Sequence, residues 1–238
     1  MKQLSLQLAK VVTTLTEKGW SQIHTFCPEP GEKFNLRGHL LAVIVLSGID
    51  SQKASTLGRA VLSRLHEEYY GDLQTSPLDK LRQAIEKVAG EIELEAKLEV
   101  TAVALVTDIL YVAVLGQGKL TLRREGKIAT ILAGSQQKVL TASGYLHDDD
   151  LFLLGSGDFF RLVSEKAIQT ALMRRTANEV AEVLAPIAHE GGNQALVAAV
   201  VAEAKEEKEK TLKKSMLKEE LAKITGKIRR HSGRFSIH

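Results

Sequence analysis

Residues Leu40 to Leu46 form an unbroken apolar run that stops at Ser47-Gly48, and no other stretch constrains the fold as tightly. A strand without polar alternation must be covered on both faces, so the run predicts a buried strand closed by a turn. Helices are expected to follow it. Ser51 is placed to cap the first, along which Ala54, Leu57, Val61 and Leu65 recur at helical spacing up to about Tyr70. Ser76-Pro77 opens the second, whose apolar face is Leu78, Leu81, Ile85, Val88 and Ile92. Gly90 weakens that helix without breaking it.

From Leu98 the period changes. Val100–Val106, Leu110–Leu115, Lys119–Arg123 and Ile128–Leu132 are rich in β-forming residues, and they are separated by Thr107-Asp108, Gly116-Gln117-Gly118 and Glu125-Gly126. The pattern predicts three successive hairpins, an antiparallel meander. Asp148-Asp149-Asp150 then precedes a second buried run, Leu151 to Leu154, and helices are expected at about Phe159–Arg174 and Thr176–His189. Gly191-Gly192 should end the latter, and Ala195 to Val201 supplies a last strand. This order of elements predicts an α+β sandwich with helices outside the sheets.

Composition sets the outer bounds. With 238 residues, 44% of them hydrophobic, the chain is long enough to bury a sizeable core. One cysteine, Cys27, excludes an intramolecular disulfide framework and fits a reducing cytoplasm. Met1 to Lys10 shows neither a signal nor a transit pattern. No stretch approaches the roughly 20 apolar residues needed to span a bilayer. The net charge of +3 is unevenly placed: Glu203–His238 carries eleven Lys or Arg against six Glu, a surplus of five that leaves the preceding residues at −2. The basic character therefore belongs to the tail. With aromatics at 5% and no basic face on the preceding part, nucleic acid is not expected as a partner.

The strand ends carry a resemblance. Val43-Ile44-Val45-Leu46 runs into Ser47-Gly48 with Ala54-Ser55 after it, and Glu99-Val100-Thr101-Ala102 opens the first β-rich piece. Leu110-Tyr111-Val112-Ala113-Val114-Leu115-Gly116-Gln117-Gly118 is followed later by Phe152-Leu153-Leu154-Gly155-Ser156-Gly157-Asp158, and Asn193-Gln194-Ala195-Leu196 precedes the last strand. In order and spacing, from Leu41 through Val201, this resembles the type 2C (PPM-type) metal-dependent Ser/Thr protein phosphatases. In that family the corresponding segments read Asp-Gly, Gly-Thr-Thr-Ala, Gly-Asp-Ser, Ser-Asp-Gly and Asp-Asn-x-Thr. The resemblance implies a four-layer α-β-β-α sandwich of two antiparallel sheets flanked by helices. It also implies that Ser47, Gln117, Gly157 and Asn193 stand where the family has metal-binding aspartates, with Gly48 and Asp158 beside them. The family's upstream phosphate-binding arginine has no counterpart; Arg37 is the nearest cation, in a different context.

These replacements matter chemically. Two-metal phosphatases hold divalent ions about 3.5–4 Å apart to bind a nucleophilic water and clamp phosphate oxygens. Magnesium and manganese require anionic oxygen ligands. Ser47, Gln117 and Asn193 offer neutral oxygens and Gly157 offers no side chain, so the expectation is a degenerate metal site, no catalytic residues, and no cofactor. The expected function is that of a pseudophosphatase, a regulatory module of bacterial-like type that binds a protein, phosphorylated or not. One alternative is a metal-dependent phosphatase with magnesium or manganese in an unconventional site that includes Asp158; a further one is a rigid scaffold for a basic membrane- or partner-binding tail. Asp158 is otherwise expected to cap the helix near Phe159.

Other motifs have plainer readings. Asp148-Asp149-Asp150 lacks the alternating ligands of a calcium loop and is expected to be a solvated turn. Gly155-Ser156-Gly157 lacks nucleophile-elbow spacing, and Gly116-Gln117-Gly118-Lys119 lacks phosphate-loop spacing. The seven histidines, His24, His39, His66, His147, His189, His231 and His238, show no zinc spacing and are expected at the surface or in loops. Cys27, beside Pro28, is expected to be a partly buried thiol.

The tail is the second informative region. Leu212, Met216, Leu217, Leu221, Ile224 and Ile228 recur at helical spacing, with Lys213, Lys214, Lys218, Lys223, Lys227, Arg229 and Arg230 on much of the remainder. This predicts a basic amphipathic helix, solvated or folded back, or else bound to a partner or membrane surface. It suits the cytoplasmic face of a membrane should the chain continue beyond His238. The expected organisation is an N-terminal segment over 1–36 that packs on the domain, a phosphatase-like domain over 37–203, and a helical tail over 204–238.

Overall fold

The structure is a computed structural model of the chain, and it describes residues 3–12, 15–16, 19–92, 95–135, 138–190 and 195–207. Its elements begin with β1 (Leu4–Val12), β2 (Leu15–Thr16), β3 (Gly19–Phe26), α1 (Glu32–Arg37), β4 (His39–Ser47), α2 (Ser51–Gly71) and α3 (Pro77–Gly90). Next come β5 (Lys97–Val106), β6 (Ile109–Leu115), β7 (Lys119–Arg124), β8 (Lys127–Ala133) and β9 (Leu140–Tyr145). The chain continues through β10 (Leu151–Gly155), α4 (Gly157–Leu162), α5 (Glu165–Leu172), α6 (Ala177–Glu190) and β11 (Ala198–Glu206).

Two antiparallel sheets result. One has the order β1-β11-β10-β7-β8, the other β2-β3-β4-β5-β6-β9. Because alternate side chains of a strand point to opposite faces, each central strand feeds two apolar layers, which is why it reads as a continuous apolar run. In β4, Leu40, Ala42, Ile44 and Leu46 pack under Val61 and Leu65 of α2 and Leu81 and Ile85 of α3. Leu41 and Val43 point the other way, to meet Phe152, Leu154 and Val200 between the sheets. On the far side, Leu151, Leu153 and Val201 lie under Phe159, Ile168, Leu172, Val180 and Leu184. Each fully buried side chain of this size stabilises the fold by about 1.5–3 kcal/mol relative to exposure. The four-layer α-β-β-α sandwich is thus built as expected.

Several local expectations need correction. The expected meander is absent: β5–β6 and β7–β8 are hairpins, but β6 and β7 belong to different sheets. Gly116–Gly118 carries the chain across rather than turning it back, because Val112 and Val114 of β6 and Leu120 of β7 all enter the layer between the sheets from opposite sides. The first long helix is capped by Asp50, whose carboxylate accepts N–H bonds from Gln52 and Lys53; Ser51 is its first residue. The helix expected over Phe159–Arg174 is two helices, since Ser164 accepts a bond from the Ala167 N–H and starts α5 afresh. The last strand begins at Ala198, later than expected. In the N-terminal stretch, β1 pairs with β11 and β3 with β4, so this segment supplies strands to both sheets.

Candidate functional site

The site is assembled where β4, β5, the β6–β7 crossing and the start of α4 converge. Within β5, Thr101 donates its hydroxyl to the Gly155 carbonyl of the opposite sheet at 3.2 Å. The alternation therefore aims Lys97 and Glu99 into the gap between the sheets as well. Glu99 lies opposite Val45 of β4, and Ser47, two residues further along β4, lies opposite Lys97. Ser47 thus sits beside Glu99 on the same face. Gly48 turns the chain with φ 88°, a conformation that favours glycine.

Glu99 is the centre of the arrangement. Its Oε2 accepts a hydrogen bond from the Gly157 N–H at 3.1 Å, and the Gln117 backbone lies near enough to favour its charged form. Gly116, with φ 91°, passes so near that a Cβ there would lie 2.5 Å from Glu99 Cγ. Burial raises the Glu99 carboxyl above its ordinary value; the Gly157 and Gln117 backbone groups act downward, and the neighbouring Asp158 charge acts upward.

Asp158 follows Gly157 in the first turn of α4. Its Oδ2 accepts from the Leu196 N–H at 2.9 Å, and its Oδ1 pairs with Arg161 at 3.0 Å. The helix cap is not Asp158 but Ser156, whose Oγ accepts from the Phe159 N–H at 3.3 Å and the Ala198 N–H at 3.2 Å and donates to the Leu196 carbonyl at 3.0 Å. The helix begins at Gly157, two residues earlier than expected, which moves Asp158 inside it.

Gln117, Gly157 and Asp158 are therefore brought together around Glu99, and Ser47 is placed on the adjoining strand end. Asn193 lies outside the described residues, as do Lys213, Lys214, Lys218, Lys223, Lys227, Arg229 and Arg230 of the tail. Glu99 was not singled out from the sequence, although a glutamate on a face shared with Thr101, Val103 and Leu105 was a usable signal. Arg37 is fully buried away from the cleft: its guanidinium donates to the Asp72 and Thr75 carbonyls, pinning the loop between α2 and α3.

Other singled-out residues also find structural places. Asp150 is buried rather than solvated, with Arg124 forked onto it at 3.0 and 2.6 Å and the His147 N–H donating to it at 2.7 Å. Asp148 accepts from the Glu206 N–H, and Asp149 pairs with Lys205, so the turn ties to β11. His24, His39 and His66 sit half-buried in β3, β4 and α2 rather than in loops. Cys27 is exposed.

Among the described residues of the cleft, the donor set does not fit a pair of divalent cations. Ser47 and Gln117 carry neutral oxygens, Gly157 carries none, and the two carboxylates of the cleft are engaged by backbone N–H groups. Among the described residues no group of three or more His, Cys, Asp or Glu could hold a metal ion.

No family model matches the sequence, and no curated protein does. Solved structures do match. The catalytic domain of the serine/threonine protein phosphatase PstP in complex with two manganese ions superposes with a TM-score of 0.62 at 19% identity, covering 85% of this chain and 100% of that one. The Mycobacterium tuberculosis phosphatase PstP/Ppp gives 0.60 at 20% identity over 86% and 99%. The phosphatase domain of SpoIIE from Bacillus subtilis gives 0.60 at 11% identity over 87% and 94%. In its two antiparallel sheets and flanking helices, this chain has the fold of the type 2C (PPM-type) Ser/Thr protein phosphatase domains.

Proposed function

We propose that this chain is a phosphatase-fold module that binds a protein partner and regulates it without hydrolysing phosphate. The observation that carries this reading is how the carboxylates at the strand ends are engaged. Three positions where the resemblance places metal-binding aspartates hold Ser47, Gln117 and Gly157, and the carboxylates nearby, Glu99 and Asp158, accept bonds from the Gly157 and Leu196 N–H groups. Two dications without anionic oxygen partners are electrostatically uncompensated. The cleft instead presents a serine, a glutamine and backbone groups, suited to hydrogen bonding with a polypeptide.

One observation favours the second reading, a metal-dependent phosphatase with an unconventional site: Glu99 and Asp158 lie close enough for their charges to interact. A phosphopeptide assay with manganese or magnesium, repeated with EDTA, separates the two. The proposed module gives no EDTA-sensitive release of phosphate, whereas the alternative gives release that Asp158→Asn abolishes. The partner is a protein, and binding of a phosphorylated against an unphosphorylated peptide tells which form it takes. The basic tail is a further candidate for contact with a partner or with the cytoplasmic face of a membrane. Among the described residues, no helix is long and apolar enough to cross a membrane.

A further inference from the structure

We infer that Glu99 is the internal group that closes this cleft, a side-chain carboxylate joining strand ends that the resemblance implies are elsewhere joined through metal ions. The inference deepens the reading above and rests on it in one respect, that the cleft holds no cation. Three observations carry it. Glu99 comes from β5 in the second sheet, yet its carboxylate bonds Gly157, where β10 of the first sheet passes into α4, and lies beside Gln117, in the crossing between the sheets. One side chain thus ties a strand of one sheet to the strand end of the other.

The surroundings are shaped to this side chain. Gly116 leaves room for the Glu99 methylenes, since a Cβ there would lie 2.5 Å from Cγ and 2.9 Å from Cβ of Glu99. A Cβ at Gly157 would lie 2.6 Å from Gln117 Cβ and 3.3 Å from Glu99 Oε2, so this position has no space for a ligand-bearing side chain while Glu99 is in place. The sequence agrees: the resemblance places a glycine where Glu99 stands. An acid therefore stands at the centre of the cleft while Ser47, Gln117 and Gly157 around it carry none.

Asp158 extends the tie from the same turn of α4. Its bond to the Leu196 N–H, with the Ser156 bonds to Leu196 and Ala198, fixes the entry to β11. The two carboxylates together satisfy two backbone donors at the strand ends, those of Gly157 and Leu196, which would otherwise need water or another acceptor.

Amide hydrogen exchange of the full chain, followed residue by residue by NMR without added metal, tests the inference. The Gly157 N–H should be protected in the wild type. In Glu99→Ala it should exchange at least about tenfold faster, the loss of one net hydrogen bond. Glu99→Gln, which keeps an acceptor oxygen and the side-chain volume, should retain the protection and guards against a folding defect in the alanine variant. An unprotected Gly157 in the wild type, or unchanged protection in Glu99→Ala, would overturn the inference. Addition of manganese to the same sample probes the other reading separately. Protected amides whose signals manganese leaves sharp uphold both. Selective broadening of Gly157 and Gln117 by micromolar manganese would overturn the closed cleft even if the chain proved inactive.

Discussion

A side chain introduced at Gly157 meets Gln117 Cβ at 2.6 Å and Glu99 Oε2 at 3.3 Å, so Gly157→Asp does not regenerate a ligand. Two effects compete there. An acid at the first position of α4 gains about 0.3–1 kcal/mol from the helix N-terminus, while overpacking costs about 1–3 kcal/mol. Crowding wins, with like-charge repulsion from Glu99 and Asp158 added to it, and denaturant unfolding should show a net loss of about 1–2 kcal/mol. Asp150→Ala should be more costly. It strands the Arg124 guanidinium, which is 33% exposed and so partly rescued by water, and it orphans the His147 N–H. A loss of about 2–3 kcal/mol is expected.

The histidines give a pH dependence. Burial, then the adjacent His66 and Lys10, lowers the His24 pKa from 6.5 to about 4, and burial lowers that of His39 to about 4. His66, 3.3 Å from His24, is also lowered, by burial and then by Lys33, with Glu67 acting in the opposite sense. All three bind protons more readily unfolded than folded, so stability is complete above about 6.5 and is lost as pH falls toward about 4. Thermal melting across that window should show Tm falling with pH, and His39→Gln should make the fall shallower. A flat profile would contradict the burial of these rings.

At the scale of elements, Ser156 joins α4 to β11 through one hydroxyl. Ser156→Ala removes the helix cap and leaves the Ala198 N–H and Leu196 carbonyl without that partner. A destabilisation of about 1–3 kcal/mol is expected, with exchange protection lost first at Phe159 and Ala198. The elements also differ in how visibly the sequence declares them. β4 and the second helix were legible to within a residue or two at their starts, because a two-sided buried strand has no alternation and Ser76-Pro77 is a strong helix opening. β1 carries a period of two in Leu4, Leu6 and Leu8, a signal that a search for a leader peptide passes over. β3 was illegible for a different reason: Trp20 packs on α2 while Ser21 is buried on the other face, so polarity does not separate the two sides. β9, Leu-Thr-Ala-Ser-Gly-Tyr, is an edge strand with its second half exposed, and little hydrophobic pattern is required of it. The Gly116–Gly118 crossing looks locally like a hairpin turn, since only the burial of its flanks between two sheets distinguishes it. At the site, order and spacing carry the resemblance that marks Ser47, Gln117 and Gly157, whereas the place of Glu99 depends on contacts between segments distant in sequence.

At the scale of the whole molecule, framework and chemistry separate. Three apolar layers and two antiparallel sheets persist with the strand ends converging, and the convergence is held by hydrogen bonds within the chain. Stability should therefore be indifferent to divalent cations. A cation bound at a hundred times its Kd would add about 2.7 kcal/mol and raise Tm by roughly 5–10 °C for a chain of this size. Melting with millimolar manganese, magnesium or EDTA should instead agree within about a degree.

Calorimetric titration of the purified chain with manganese, beside a phosphopeptide assay on the same sample, decides whether the proposed module operates without a metal centre. No saturable binding and no metal-dependent turnover are expected. Saturable binding of two manganese ions per chain, with phosphate release that EDTA abolishes, would contradict that reading.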